Sequence, residues 1–174
     1  MIYVVEIDFS DAGHEAEWNA WYMTHLPKMV QVPGILTAQR FKAANRTSHA
    51  YLALYTAEAS EVFLSDAYRD NGGAGVASLR WKAFITRRRT LYAGVERMPE
   101  VSPDGRVLLT GAAPTFDASN VLFGDLHRIA LDEAMPERRI AVSRAADVDI
   151  GLAEASGIGV FAPISERHVA SKPA

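Results

Sequence analysis

The sequence predicts an α+β domain of ferredoxin-like order, β-α-β-β-α-β, whose sheet is closed into a barrel by a second sheet. Three observations lead there. Four β-branched and aromatic runs alternate with two helical patterns over residues 2–93. The run Tyr51-Leu52-Ala53-Leu54-Tyr55 is apolar on both alternating faces, so both faces need cover. The pattern then partly repeats after residue 105.

Taken in order, residues 2–9 (IYVVEIDF) are a strand by composition. Residues 14–31 form a helix, with Trp18, Trp21, Tyr22, Leu26 and Met29 near a 3.6-residue period. Pro27 removes a helical hydrogen bond, which predicts a kink or break near His25-Leu26. Val32-Pro33-Gly34 is a turn, and 35–43 and 50–57 are strands joined by a short loop. A helix begins at Ser60. Residues 66–75 (DAYRDNGGAG) interrupt it as a polar, glycine-rich loop, expected to be a mobile gate. Residues 76–81 are a further helical turn and 83–93 the fourth strand.

Residues 1–95 thus read as a ferredoxin-like half-barrel and 96–105, with two prolines and a glycine, as a linker. Residues 106–166 read as a degenerate repeat in the order β-α-β-α-β: strand 106–111, helix 117–134 with Asp117 as N-cap, strand 138–145, short helix 147–156, strand 157–164. An unrelated extension packed on the first half is the alternative. The last ten residues, and 167–174 above all, read as a disordered tail. The closing sheet comes from this C-terminal half or from another copy. A homodimer is favoured because the second half reads as one strand short.

Composition narrows the function. A net charge of −3 gives no basic footprint for nucleic acid. The absence of cysteine removes disulfides, thiolate catalysis and cysteine-ligated metals. Met1 to Glu6 reads as a strand rather than a signal peptide, and no apolar run approaches the roughly 20 residues that span a bilayer. A cytoplasmic protein that acts on a small molecule, with no membrane partner, is the expectation. His14 and His25 lie about 16 Å apart along a helix by its rise per residue, too far to share a metal. No histidine–carboxylate cluster completes a site, so neither a metal nor a cofactor is expected. Gly72-Gly73-Ala74-Gly75 lacks the ending of a phosphate loop, and Gly157-Ile158-Gly159 lacks the third glycine of a dinucleotide site.

The run from Trp18 to Pro27, with Val32-Pro33-Gly34-Ile35, Gln39-Arg40-Phe41 and Tyr51 to Tyr55, resembles the EthD-like branch of the dimeric α/β-barrel superfamily over about residues 2–93. The match rests on an aromatic-rich first helix with a histidine shortly before a proline, then a proline-glycine turn and an arginine-containing strand. The resemblance implies a fold that hosts lyases, isomerases, cyclases and oxygenases as well as proteins without known activity, so it assigns no reaction by itself.

His25 is the leading candidate. It shares a helix face with Trp18 and Trp21, where partial burial tunes an imidazole for proton transfer. Its bland alternative is a histidine that caps the helix at Pro27. Tyr22 is the candidate hydrogen-bond donor to a substrate carbonyl or enolate. Arg40 and Phe41 point to opposite faces, and if Phe41 packs under the helices Arg40 enters the barrel to bind a carboxylate or polarised oxygen. Trp18, Trp21, Tyr51, Tyr55 and Trp81 are the expected substrate-binding aromatics, although core packing is the plainer role for Trp18. His14 and His49 read as surface residues, His127 and His168 as isolated, and Arg87-Arg88-Arg89 as a solvated edge. The leading function is a metal-free lyase, isomerase or cyclase acting on a hydrophobic oxygenated compound. The alternatives are a cofactor-free or haem-type oxygenase and a non-catalytic binding protein.

Overall fold

A computed structural model describes residues 1–111, 121, 123–132 and 136–171. In chain order these form β1 (Ile2–Phe9), α1 (Glu15–Met29), β2 (Ile35–Ala43), β3 (Tyr51–Ala57), α2 (Asp66–Asp70), β4 (Ile85–Ala93), β5 (Gly105–Gly111), β6 (Gly124–Leu131), β7 (Glu137–Arg144), α3 (Ile150–Ala155), β8 (Gly159–Pro163) and β9 (His168–Val169). Short 3₁₀ segments at Ser60–Leu64 and Val76–Trp81 flank α2.

Eight antiparallel strands close on themselves in the order β3-β1-β4-β6-β7-β5-β8-β2, and β2 returns to β3. Each half has one strand order, β4-β1-β3-β2 in the first and β8-β5-β7-β6 in the second. The halves meet at two seams, β4 on β6 and β2 on β8. The chain therefore closes its own barrel. The second half brings four strands to it, so the missing strand that favoured a homodimer is present, and closure needs no second copy.

Closure explains the two-sided apolar strand. Leu52 and Leu54 of β3 join Ile2, Val4, Phe41 and Tyr92 inside the barrel. Tyr51, Ala53 and Tyr55 face outward and are buried under α1. Adjacent residues of a strand point to opposite faces, so one strand feeds two cores. Met98 and Val101, from the segment read as a linker, pack into the barrel interior, where Gln39 donates to the Val101 carbonyl at 2.7 Å.

α1 forms where an amphipathic stripe predicts it. Trp18, Tyr22, Leu26 and Met29 are its buried residues, and Glu15, Glu17 and Lys28 complement the helix dipole. It runs unbroken through Pro27, against the expected break at His25-Leu26. Pro27 sits so close to the C-terminal end that it removes one bond of the last turn only.

Three other expectations fail. Residues 66–70, expected as part of a loop, form the short helix α2, and the chain turns after it where Gly72 and Gly75 take left-handed φ values of 88° and 90°. The expected helix over 117–134 contains strand β6; Asp117 lies outside the described residues. The tail expected to be disordered carries β9, paired with β2 through Ala38 and His168.

Candidate functional site

α1 lies across the outer face of β1, β2 and β3, and the β3–β4 connection folds over the far side. Between them is a small, partly open cavity of about 50 Å³. β1 and β3 contribute Tyr3, Val5, Ile7 and Tyr55, while α1 contributes Trp21, Tyr22, His25 and Met29. Tyr68 and the Gly72–Gly75 turn form the cover, and Arg87 and Arg89 of β4 the remaining wall.

His25 reaches this cavity by helical spacing. Its ring stacks on Trp21, four residues earlier, with centroids 5.3 Å apart and planes 10° from parallel. It meets Tyr22 edge-on at 5.7 Å. Its Nδ1 is buried and has no hydrogen-bond partner among the described residues. Burial, and then the Lys28 cation, lower its pKa to about 4. At neutral pH the imidazole is therefore a free base with an unused nitrogen.

Tyr3, Tyr22 and Tyr55 also line this space, and burial raises the pKa of each. The Tyr3 and Tyr68 hydroxyls lie 3.1 Å apart. Tyr3, Tyr22 and Tyr55 stay protonated; because Tyr3 bonds Tyr68 and Tyr22 bonds Tyr55, each pair keeps one O–H for an oxygen atom in the cavity.

Arg40 does not enter the barrel. Phe41 takes the barrel interior, so alternation sends Arg40 outward beneath α1. Its guanidinium lies 4.4 Å from the Trp18 ring, 4.1 Å from Tyr22 and 4.7 Å from Tyr51. The side chain is fully buried, and none of its three nitrogens has a hydrogen-bond partner among the described residues. Burial lowers its pKa, and the tyrosines and Glu15 oppose that shift. Arg40 touches Tyr22 but does not line the cavity.

The expected residues thus divide into groups. Trp21, Tyr22, His25 and Tyr55 line the cavity. Trp18, Arg40 and Tyr51 make a closed cluster beside it, with the Tyr51 hydroxyl donating to Glu15. Trp81 packs edge-on against Phe9, which stacks on Trp18, and does not reach the cavity. His49 is buried rather than solvated, its Nδ1 2.8 Å from Asp8.

Sequence reasoning missed Tyr3, Tyr68, Arg87 and Arg89. Arg87 and Arg89 were expected at a solvated edge, but α1 and the glycine turn cover that face of β4. Arg87 Nη1 donates to Ser78 Oγ at 2.7 Å, and its guanidinium fills the space that a side chain on Gly75 would need. Asp132 holds Arg89 from behind, accepting from its backbone N–H at 2.9 Å. The signal available in sequence was parity: Arg87 and Arg89 share a face with Leu91, and Arg88 does not.

The His25 shift has a consequence for stability. An imidazole held at about 4 when folded, against about 6.5 when unfolded, favours the native state above pH 6.5. That contribution, at most about 3 kcal/mol, is lost as pH falls from 6.5 through 4. Urea denaturation at pH 7 and pH 4.5 is expected to show a loss of stability that is smaller in His25→Gln. Equal losses in the two proteins would mean that His25 titrates normally.

No protein-family model matches the chain, and no curated protein matches its sequence. Solved structures do share its fold. An anthrone oxidase-like protein is 10% identical, with a TM-score of 0.55 over 98% of this chain and 94% of that one. A putative monooxygenase from Fusobacterium nucleatum subsp. nucleatum is 10% identical, with a TM-score of 0.53 over 98% and 95%. Among the described residues no helix is long and apolar enough to cross a membrane, and no group of histidines and carboxylates could hold a metal ion. By its barrel this chain is similar in fold to both of these proteins over nearly its whole length.

Proposed function

We propose that this chain is a cofactor-independent oxygenase of the EthD-like branch, acting on a phenolic or enolisable small molecule held between α1 and the barrel. One observation carries the reading: a free-base imidazole, His25, opens onto a cavity walled by protonated tyrosines and two guanidinium groups. That set suits one sequence of events. His25 takes a proton from the substrate, and Arg87 and Arg89 bind the resulting oxyanion. The electron-rich anion is then the reductant for dioxygen. For an activated methylene, one oxygen atom becomes the new carbonyl and the other leaves as water with both methylene hydrogens. The names of the two structural neighbours point the same way.

A metal-free lyase, isomerase or cyclase would use the same proton transfer without oxygen. The haem-type alternative would need a wide space beside His25, where the cavity volume is about 50 Å³. Any ligand larger than a few atoms requires the cover to move. Gly75, Ser78 and Arg87 separate the cavity from an outer groove of about 570 Å³. Release of the Arg87–Ser78 bond would join the two spaces, which makes the Gly72–Gly75 turn the gate.

The test is anthrone turnover by the chelator-treated protein in an oxygen electrode. One dioxygen consumed per substrate, with labelled oxygen in the product carbonyl, is expected. Turnover without oxygen uptake would favour the isomerase reading, and substrate bound but recovered unchanged would favour a binding protein.

A further inference from the structure

A second site lies inside the barrel, on the opposite face of the same strands. Val5 and Ile7 face the outer cavity, so Glu6 between them points inward. Its carboxylate is buried, 2.9 Å from Arg138 Nη1 and 3.9 Å from Arg88 Nη1. The Arg138 side chain is only 9% exposed, and its Nε is buried without a hydrogen-bond partner among the described residues. Tyr92 also interacts with Arg138.

Above this pair the barrel mouth opens into a cavity of about 410 Å³, within the range of small-molecule sites. Arg46, Thr47, Ser48 and Thr110 rim it. Gly159 keeps the opening clear, since a side chain there would strike the Phe161 ring. Two further carboxylates lie beside the rim, Glu154, accepting from the Arg46 backbone N–H at 3.1 Å, and Asp8, accepting from the Ala50 backbone N–H at 2.8 Å. Two guanidinium groups, Arg46 and Arg138, thus share this space with the Glu6 carboxylate, and Ser48 and Thr110 add hydroxyls, while the Thr47 O–H is already donated to the His49 carbonyl.

A buried ion pair alone needs no cavity above it, and side chains can fill an eight-stranded barrel. Here the apolar filling stops below Glu6, and Arg138 and Glu6 line the open space. We infer that the barrel mouth binds a small carboxylate, which Arg138 and Arg46 hold and the Ser48 and Thr110 hydroxyls orient. Carboxylate is favoured over phosphate because Glu6, already paired with Arg138, opposes a second negative charge. This site is independent of His25 and of the proposed reaction.

Titration of the full chain with acetate, pyruvate and inorganic phosphate, followed by amide and arginine Nε–H NMR shifts, tests the inference. Saturable shifts are expected for acetate or pyruvate at Arg138, Arg46 and Gly159, with weaker binding of phosphate. Arg46→Ala, a rim change that leaves the buried pair intact, should weaken binding by about tenfold, the worth of one charge-assisted hydrogen bond. The double variant Glu6→Gln/Arg138→Met, which strands no buried charge, should abolish it. His25→Ala should leave it unchanged. Shifts that do not saturate, equal binding by Arg46→Ala, or a preference for phosphate would each overturn the carboxylate assignment.

Discussion

His25→Ala is expected to lower turnover by roughly 10²–10⁴-fold, the usual worth of a general base, while the protein keeps its fold. The geometry separates the two halves of that statement. The imidazole stacks on Trp21 at the cavity wall, whereas Trp18, Tyr22, Leu26 and Met29 carry the buried stripe of α1. Removal of the ring enlarges an existing cavity rather than opening a new one in the core. Its low pKa adds a pH signature: kcat/KM should fall only as pH drops toward about 4, not near 6.5. Turnover and thermal melting of the one variant decide the matter. A variant that melts far below the parent, or that keeps full activity, would make His25 a structural residue.

The second large effect is expected at Arg40, with opposite signs for stability and activity. A guanidinium removed from water costs several kcal/mol even after relaxation. Here three aromatic faces repay part of that, at about 0.5–2 kcal/mol each, and no hydrogen bond among the described residues repays the rest. Methionine has similar length and no charge. Arg40→Met should therefore raise the melting temperature by roughly 2–8 °C, as a gain of about 1–2 kcal/mol would in a domain of this size. Activity should fall at least about tenfold, because Tyr22 at the cavity loses the cation against its ring. Arg40→Lys should not restore it, since a compact ammonium cannot cover three rings. The activity loss requires a tyrosine titration that moves up in Arg40→Met. A lower melting temperature would mean that the cation–ring cluster is a net support of the fold.

Strand composition made most of the barrel legible. Residues 2–9, 35–43 and 51–57 are rich in β-branched and aromatic side chains, and they are strands. β6 was not legible. Leu126, Ile129 and Ala130 fall at helical spacing, and pairing with β4 and β7 on either side overrode that local pattern. The site was half legible for a related reason. Helical periodicity put Trp21, Tyr22 and His25 together. Strand alternation sorted residues into two faces but could not say which face was the barrel interior, because Tyr51 to Tyr55 are apolar on both. That one missing bit inverted Arg40 and hid Arg87 and Arg89.

The split of Arg87-Arg88-Arg89 between the two faces of β4 bears on which sequence changes the protein can absorb. Arg87 and Arg89 serve the outer cavity while Arg88 approaches Glu6 inside the barrel. Insertion or deletion of a single residue within β4, upstream of Arg87, would exchange those assignments. Two guanidinium groups would be driven into the barrel and the outer cavity would lose both of its cations. Substitutions in this strand are local events, but a one-residue length change would disable two sites at once. Length variation in this protein should accordingly concentrate in the connections between strands, while β4 keeps its length.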